Sequence, residues 1–221
     1  IKPVTITRKS VDHDSMDSNN DFASASMIRE SIKSGNDISA FIPDMCRQAI
    51  SEQISKDRIS DIRNLENIIF YKLLSMTKDE LALLPDANNG LSDRLYAACR
   101  KANSYSELLD LTKTKCFTLA RIRRVISYAL MGITTDDLYT LPQYARILAF
   151  NDRGCEILAK IKEKSDFPVS TSLMDLLKLN DSAKRLAELD EIASMMFSHS
   201  VNDKKNRKNE FAVMVKKTSE D

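Results

Sequence analysis

The chain has 221 residues, 43% of them hydrophobic and 29% charged, with 33 Lys+Arg against 32 Asp+Glu for a net charge of +1. That balance excludes a whole-molecule field drawing the protein to nucleic acid or membrane, so polyanion binding must rest on a local patch. Four glycines, five prolines and no tryptophan count against a turn-rich β-sandwich, and no apolar run approaches the ~20 residues that span a bilayer.

Cys46, Cys99, Cys116 and Cys155 are scattered singly, with only His13 and His199 for company. Without a Cys-x-x-Cys pair no metal site is expected. Isolated thiols and no signal-peptide pattern fit a reducing, cytoplasmic setting. The sequence opens on Ile1 rather than methionine, and its first residues already read as a strand. The chain is therefore expected to be the later part of a longer polypeptide.

In chain order, the β-branched alternation of "PVTITR" predicts a strand over Val4–Arg8. "KSVDHDSMDSNND" is a polar loop. Ser24 or Ser26 caps a helix that stops at Gly35, and Pro43 sits in the first turn of another running to about Ile54. Ile62, Leu65, Ile69, Leu73 and Met76 form a stripe at helical spacing on a long helix started by Ser60. After the loop "PDANNG" (85–90), Leu91, Leu95 and Ala98 repeat at that spacing, and Ser104 with Glu107 spells a capping box. Thr118 caps a helix whose Ile122, Ile126 and Ala129 face a core and which ends at Gly132. Beyond Pro142, "YARILAF" and "FPVST" read as strands around the helix "RGCEILAKIKEK". Helices over 172–179 and 182–198 and an edge strand over 211–215 follow.

Three constellations could carry chemistry. Ser24, Ser26 and Arg29 surround a helix start, where free amide N–H groups and the positive end of the dipole attract anions. Two hydroxyls and a guanidinium there suit a phosphate; the alternative is ordinary serine capping with Arg29 on a solvated face. In "KTKCFTLARIRR" (113–124), Lys113 and Lys115 precede a helix on which Arg121 and Arg124 are neighbours, with Phe117 and Tyr128 among the cations. That patch would read phosphate and shape rather than bases, unless it is merely a solvated face over a buried Phe117. Asp12, His13 and Asp14 share a loop and could bind a metal or move a proton, although loops are commonly rich in Asp. The basic "KKNRK" (204–208) could touch RNA but reads first as a solubilising tail.

"IKPVTITR", the loop holding His13-Asp14, "SASMIR" and the block "NGLSDRLYAACRKANSYSELLDLTKTKCFTLARIRRVISYALMGI" (89–133), in that order, resemble the tRNA(Met) cytidine acetate ligases of the nucleotidyltransferase superfamily. The resemblance implies an ATP-dependent reaction, with Mg2+, in which acetate becomes acetyl-adenylate and is transferred to N4 of the wobble cytidine of elongator tRNA(Met). It implies that Arg8, Ser24, Ser26 and Arg29 contact ATP, with a loop contribution from His13 and Asp14. It further implies that Lys113, Lys115, Arg121 and Arg124 face the tRNA. Two departures stand out: Cys116 and Phe117 replace the family's Arg-Tyr, and its His-x-Gly-His motif is absent from these 221 residues. The chain alone is accordingly expected not to adenylate acetate.

The expected fold is mainly α. A helical region over 41–221, with an α+β element at 143–221, follows the terminal strand and helix of a truncated Rossmann-like nucleotidyltransferase domain over 1–40. Two other readings compete with the ligase: a nucleotidyltransferase acting on a small cofactor precursor, and a non-catalytic helical RNA- or protein-binding module.

Overall fold

In the computed structural model, which describes residues 2–5, 22–203 and 209–218, helices dominate. The mainly α expectation is met. Of the expected strand Val4–Arg8, residues 4–5 are irregular and the rest lies outside the described residues, as do Arg8, His13, Asp14 and the 204–208 tail.

The backbone divides into two compact units, Ile1–Ile59 and Ser60–Asp221. The first contains α1 (Ala25–Ser34) and α2 (Asp44–Ser55). Ser24 is the cap of α1. Gly35 closes it at φ 72°, where its own amide and that of Asn36 reach back to the carbonyls of Ile32 and Ser31; a side chain would be strained at that angle. Pro43 stands one position earlier than expected, as the N-cap of α2.

In the second unit, α3 (Glu66–Ser75), α4 (Lys78–Ala82), α5 (Leu91–Cys99), α6 (Tyr105–Thr112), α7 (Leu119–Met131) and α8 (Thr135–Tyr139) succeed one another with short connections. Ile69, Leu73, Leu81, Leu91, Leu95, Leu108, Ile122 and Val125 are fully buried in one core. The helical stripes end there, and truncating one such leucine to alanine costs about 2–5 kcal/mol.

The helix expected to start at Ser60 does not. A 3-10 turn over Ile62–Leu65 precedes α3, Asp61 supplies the cap by accepting from the Arg63 amide, and Ser60 Oγ meets Ser200 Oγ at 2.6 Å. The capping box at Ser104 is half formed. Ser104 Oγ accepts from the Glu107 amide, but the Glu107 carboxylate receives the amide of Asn103, one residue outside the box.

The rest of this unit mixes short strands with helices. The single strand expected over 144–150 is two: β1 (Ala145–Arg146) and β2 (Ala149–Phe150), followed by α9 (Asp152–Lys164), β3 (Val169–Ser170), α10 (Leu173–Leu176) and α11 (Asp181–Ser200). β1 pairs in parallel with β3, and β2 with β4 (Lys216–Lys217). The strand expected over 211–215 is displaced. Residues Glu210–Ala212 form a 3-10 turn because Glu210 is held by Arg146 (2.5 Å), by Ser194 Oγ and, through its amide, by Glu191. A second small core joins Leu173, Leu176 and Ala187. It is tied to the first by Arg185, which donates to the Gly132 carbonyl at 2.6 Å and forks onto Asp137.

Candidate anion-binding sites

The helix start formed by Ser24, Ser26 and Arg29 gives its three polar side chains different jobs. Ser24 is 4% exposed, its Oγ accepts the Met27 amide at 3.0 Å, and its carbonyl accepts the Ile28 amide. Capping therefore accounts for Ser24. Ser26 and Arg29 are three residues apart, hence on one face, and Arg29 Nη2 donates to Ser26 Oγ at 3.4 Å with Arg29 exposed. No acidic residue occupies the first turn of α1. The positive end of its dipole, the amides that precede the first intrahelical acceptors and the Arg29 guanidinium thus add with no carboxylate in that turn to cancel them.

The second constellation is organised by one threonine. Thr114 Oγ1 accepts the amides of Cys116 and Phe117 at 3.1 Å each, fixing the turn between α6 and α7. Phe117 points inward at 8% exposure and completes the core, while Lys113 and Lys115 stay exposed. Among the described residues no carboxylate oxygen lies within 4 Å of either ammonium. Thr118 then caps α7 through the Arg121 amide.

Arg121 and Arg124 are brought together on one face, as their spacing predicts, but both are engaged by the 85–90 loop. Arg121 donates through Nε and Nη2 to the Asp86 carbonyl (2.9 and 2.8 Å), and through Nη2 to the carbonyl and side chain of Asn88. Arg124 Nε pairs with the Asp86 carboxylate at 2.6 Å. The loop needs holding: Asp86, Asn89 and Gly90 all have positive φ, of 60°, 58° and 83°. Arg123 looks elsewhere, to the Tyr105 hydroxyl. Burial raises the pKa of that phenol, and the guanidinium partly offsets the rise.

One cation beside this turn carries no mark in the sequence. Arg94, exposed on α5, donates through Nε to the carbonyl of Thr112 at 2.8 Å, at the C-terminus of α6 and one peptide from Lys113. Nothing local signals this pairing, because eighteen residues separate the partners. Elsewhere, among the described residues no group of three His, Cys, Asp or Glu side chains is placed to hold a metal ion. No helix there is long and apolar enough to cross a membrane.

The family model described as HIGH Nucleotidyl Transferase matches residues 1–211. The chain belongs to the HIGH nucleotidyl transferase family. Among its curated relatives, the tRNA(Met) cytidine acetate ligase of Acetivibrio thermocellus is 31% identical over 210 residues, covering 89% of this chain and 51% of the relative. That of Alkaliphilus metalliredigens is 31% identical over 214 residues (92% and 50%), and that of Clostridium kluyveri 34% over 194 (81% and 47%). The chain spans about half the length of the curated relatives it matches. The fold is that of Thermotoga maritima TmcAL, whose apo crystal structure superimposes with a TM-score of 0.86 at 21% identity, over 97% of this chain and 55% of that one. A second crystal form of TmcAL, bound with alpha-thio ATP, gives 0.81 at 22% identity over 90% and 53%.

Proposed function

We propose that this chain works as part of an ATP-dependent tRNA(Met) cytidine acetate ligase. An acetate oxygen attacks the α-phosphorus of ATP and pyrophosphate leaves. N4 of the wobble cytidine of elongator tRNA(Met) then attacks the acetyl carbon of acetyl-adenylate, losing a proton as AMP departs. One observation carries the reading: identity of 31–34% to enzymes of that name extends over 81–92% of this chain, and the family match runs through both cationic constellations.

The first constellation suits the first step. Charge accumulates on the phosphates as pyrophosphate leaves, and pre-positioned donors at a helix N-terminus oppose it without reorganising. Arg29 and Ser26 are assigned to the triphosphate, as is Arg8, with a contribution from His13 and Asp14. Ser24 acts through the helix start that it caps. Mg2+ enters with the ATP phosphates as part of the substrate. The second step needs a large polyanion held in register. Lys113 and Lys115 meet it directly, whereas Arg121 and Arg124 shape the loop beside them and offer the RNA what remains of their forks. Residues 1–40 belong to the nucleotide-binding part and 41–221 to the tRNA-binding part.

The test is a fusion in which the N-terminal half of the Acetivibrio thermocellus ligase is joined ahead of Ile1. N4-acetylcytidine in a tRNA(Met) transcript, dependent on ATP and acetate, is the expected product, and Arg29→Ala should abolish it. A folded fusion that binds neither ATP nor tRNA would sink the reading. The 221 residues alone should release no acetate-dependent pyrophosphate; measurable release would overturn that part.

A further inference from the structure

We propose that Arg94 grips a backbone phosphate of the bound RNA, acting with Lys113 across the end of α6. The proposal deepens the tRNA-binding reading and rests on it.

An arginine that meets a phosphate well presents a planar fork whose direction is fixed in advance. Arg94 is built that way. Its Nε is anchored on the Thr112 carbonyl at 2.8 Å, and the anchor is rigid. Thr112 is fully buried, its Oγ1 is bonded to the Leu108 carbonyl at 2.7 Å, and the next amide, that of Lys113, is bonded to the Leu109 carbonyl at 2.8 Å. With Nε fixed, the N–H groups on the two Nη atoms lie in a set plane. Among the described residues they meet no acceptor within hydrogen-bond distance, and no carboxylate there lies within 4 Å of the guanidinium. Arg121 differs: its Nε and one Nη already serve Asp86 and Asn88. Of the two arginines, the one with its fork open is Arg94.

The charge around the fork favours an anion. Carbonyls at a helix C-terminus carry partial negative charge that would repel phosphate. Arg94 and Lys113 sit on that terminus and oppose it, and Lys115 adds a further cation on the turn fixed by Thr114, against the exposed carboxylate of Asp110 in the last turn of α6. The simpler role, capping α6 through Nε, uses one donor and makes no use of the exposed fork.

The experiment measures binding of a tRNA(Met) transcript to the 221-residue chain across a salt series, with thermal unfolding followed in parallel. Arg94→Gln should weaken binding about tenfold at low salt and lower the slope of log K against log salt by about 0.7–0.9, as expected when one phosphate fewer is neutralised. Arg94→Lys should keep the slope and recover only part of the affinity, since a point charge replaces a fork. If Arg94→Gln unfolds, modification of wild-type arginines by a dicarbonyl reagent decides instead: bound tRNA should shield Arg94, and a guanidinium that stays reactive at saturation overturns the proposal. A folded Arg94→Gln chain with wild-type affinity and slope overturns it as well. A wild-type chain that does not bind tRNA at all removes the ligase reading itself, an outcome distinct from either.

Discussion

Arg121 and Asp86 are 35 residues apart in sequence, yet the guanidinium of one closes on the carbonyl of the other through two hydrogen bonds, at 2.9 and 2.8 Å. With the Arg124–Asp86 ion pair beside it, this grip holds a turn that carries three residues at positive φ. The cationic face of α7 is thus a clamp before it is a ligand site. The two halves of the clamp should differ in strength. The ion pair is half exposed on both sides, and such pairs contribute about 0.2–1 kcal/mol. Arg121→Ala removes several hydrogen bonds to the loop, each contributing about 0.5–1.5 kcal/mol net. In urea melts Arg121→Ala should be clearly the more destabilising, and Arg124→Gln nearly silent; equal losses would show that the loop is held some other way.

A second prediction concerns acid. Asp137 receives Arg185 on both oxygens and also closes a capping box with Thr134, and these bonds, led by that to Arg185, hold its pKa at about 2. A carboxylate depressed in the folded state contributes stability that is complete above its unfolded value and disappears as pH falls through the folded one. The drop from 3.8 to about 2, at 1.36 kcal/mol per unit, corresponds to about 2 kcal/mol. Stability of the second unit should be insensitive to this group between pH 7 and 5 and fall between about pH 4 and 2. Asp137→Asn should be less stable at neutral pH and should lack that limb of the profile. A variant that retains it would assign the acid sensitivity elsewhere.

Ser24, Thr118, Gly35 and Gly132 are legible in the sequence because a cap and its partner lie within a few residues, so the pattern contains the whole interaction. Ser60 has the same appearance and a different fate, since its hydroxyl finds Ser200 some 140 residues away. Arg121 and Arg124 show the limit equally well. Their shared face follows from helical spacing, but their partner sits on a loop that only tertiary packing brings near. "YARILAF" looks like one strand because alternation is local, whereas its division into β1 and β2 is set by distant partners, β3 and β4. Arg94 gives no sign at all, because what distinguishes it is an anchor on Thr112.

The split of roles at the start of α1 can be measured. Ser24→Ala removes the acceptor of the Met27 amide and should cost about 1 kcal/mol of helix stability. Hydrogen exchange at that amide should accelerate accordingly. Ser26→Ala and Arg29→Ala leave the cap intact and should leave exchange at Met27 unchanged while weakening ATP binding to the fusion protein. Reversal of the pattern, with Ser24→Ala affecting nucleotide alone, would mean that the buried hydroxyl reaches the ligand after all.

Lys113 and Lys115 provide the cleanest separation of binding from folding. Both are exposed, neither has a carboxylate within 4 Å among the described residues, and the turn that presents them is fixed by Thr114 rather than by their own side chains. Lys113→Gln with Lys115→Gln should leave the unfolding midpoint within error, because exposed side chains of this kind contribute within about ±0.5 kcal/mol. The same double variant should lower the salt dependence of tRNA binding by about 0.7–0.9 for each phosphate that is no longer neutralised. Thr114→Ala makes the converse case: both charges survive, but the amides of Cys116 and Phe117 are left without their acceptor and the turn loosens. Its tRNA affinity should fall with the slope nearly intact, since both ammonium groups still reach the phosphates but must first be ordered. A double lysine variant with unchanged slope would show that this turn, for all its charge, does not touch the RNA backbone.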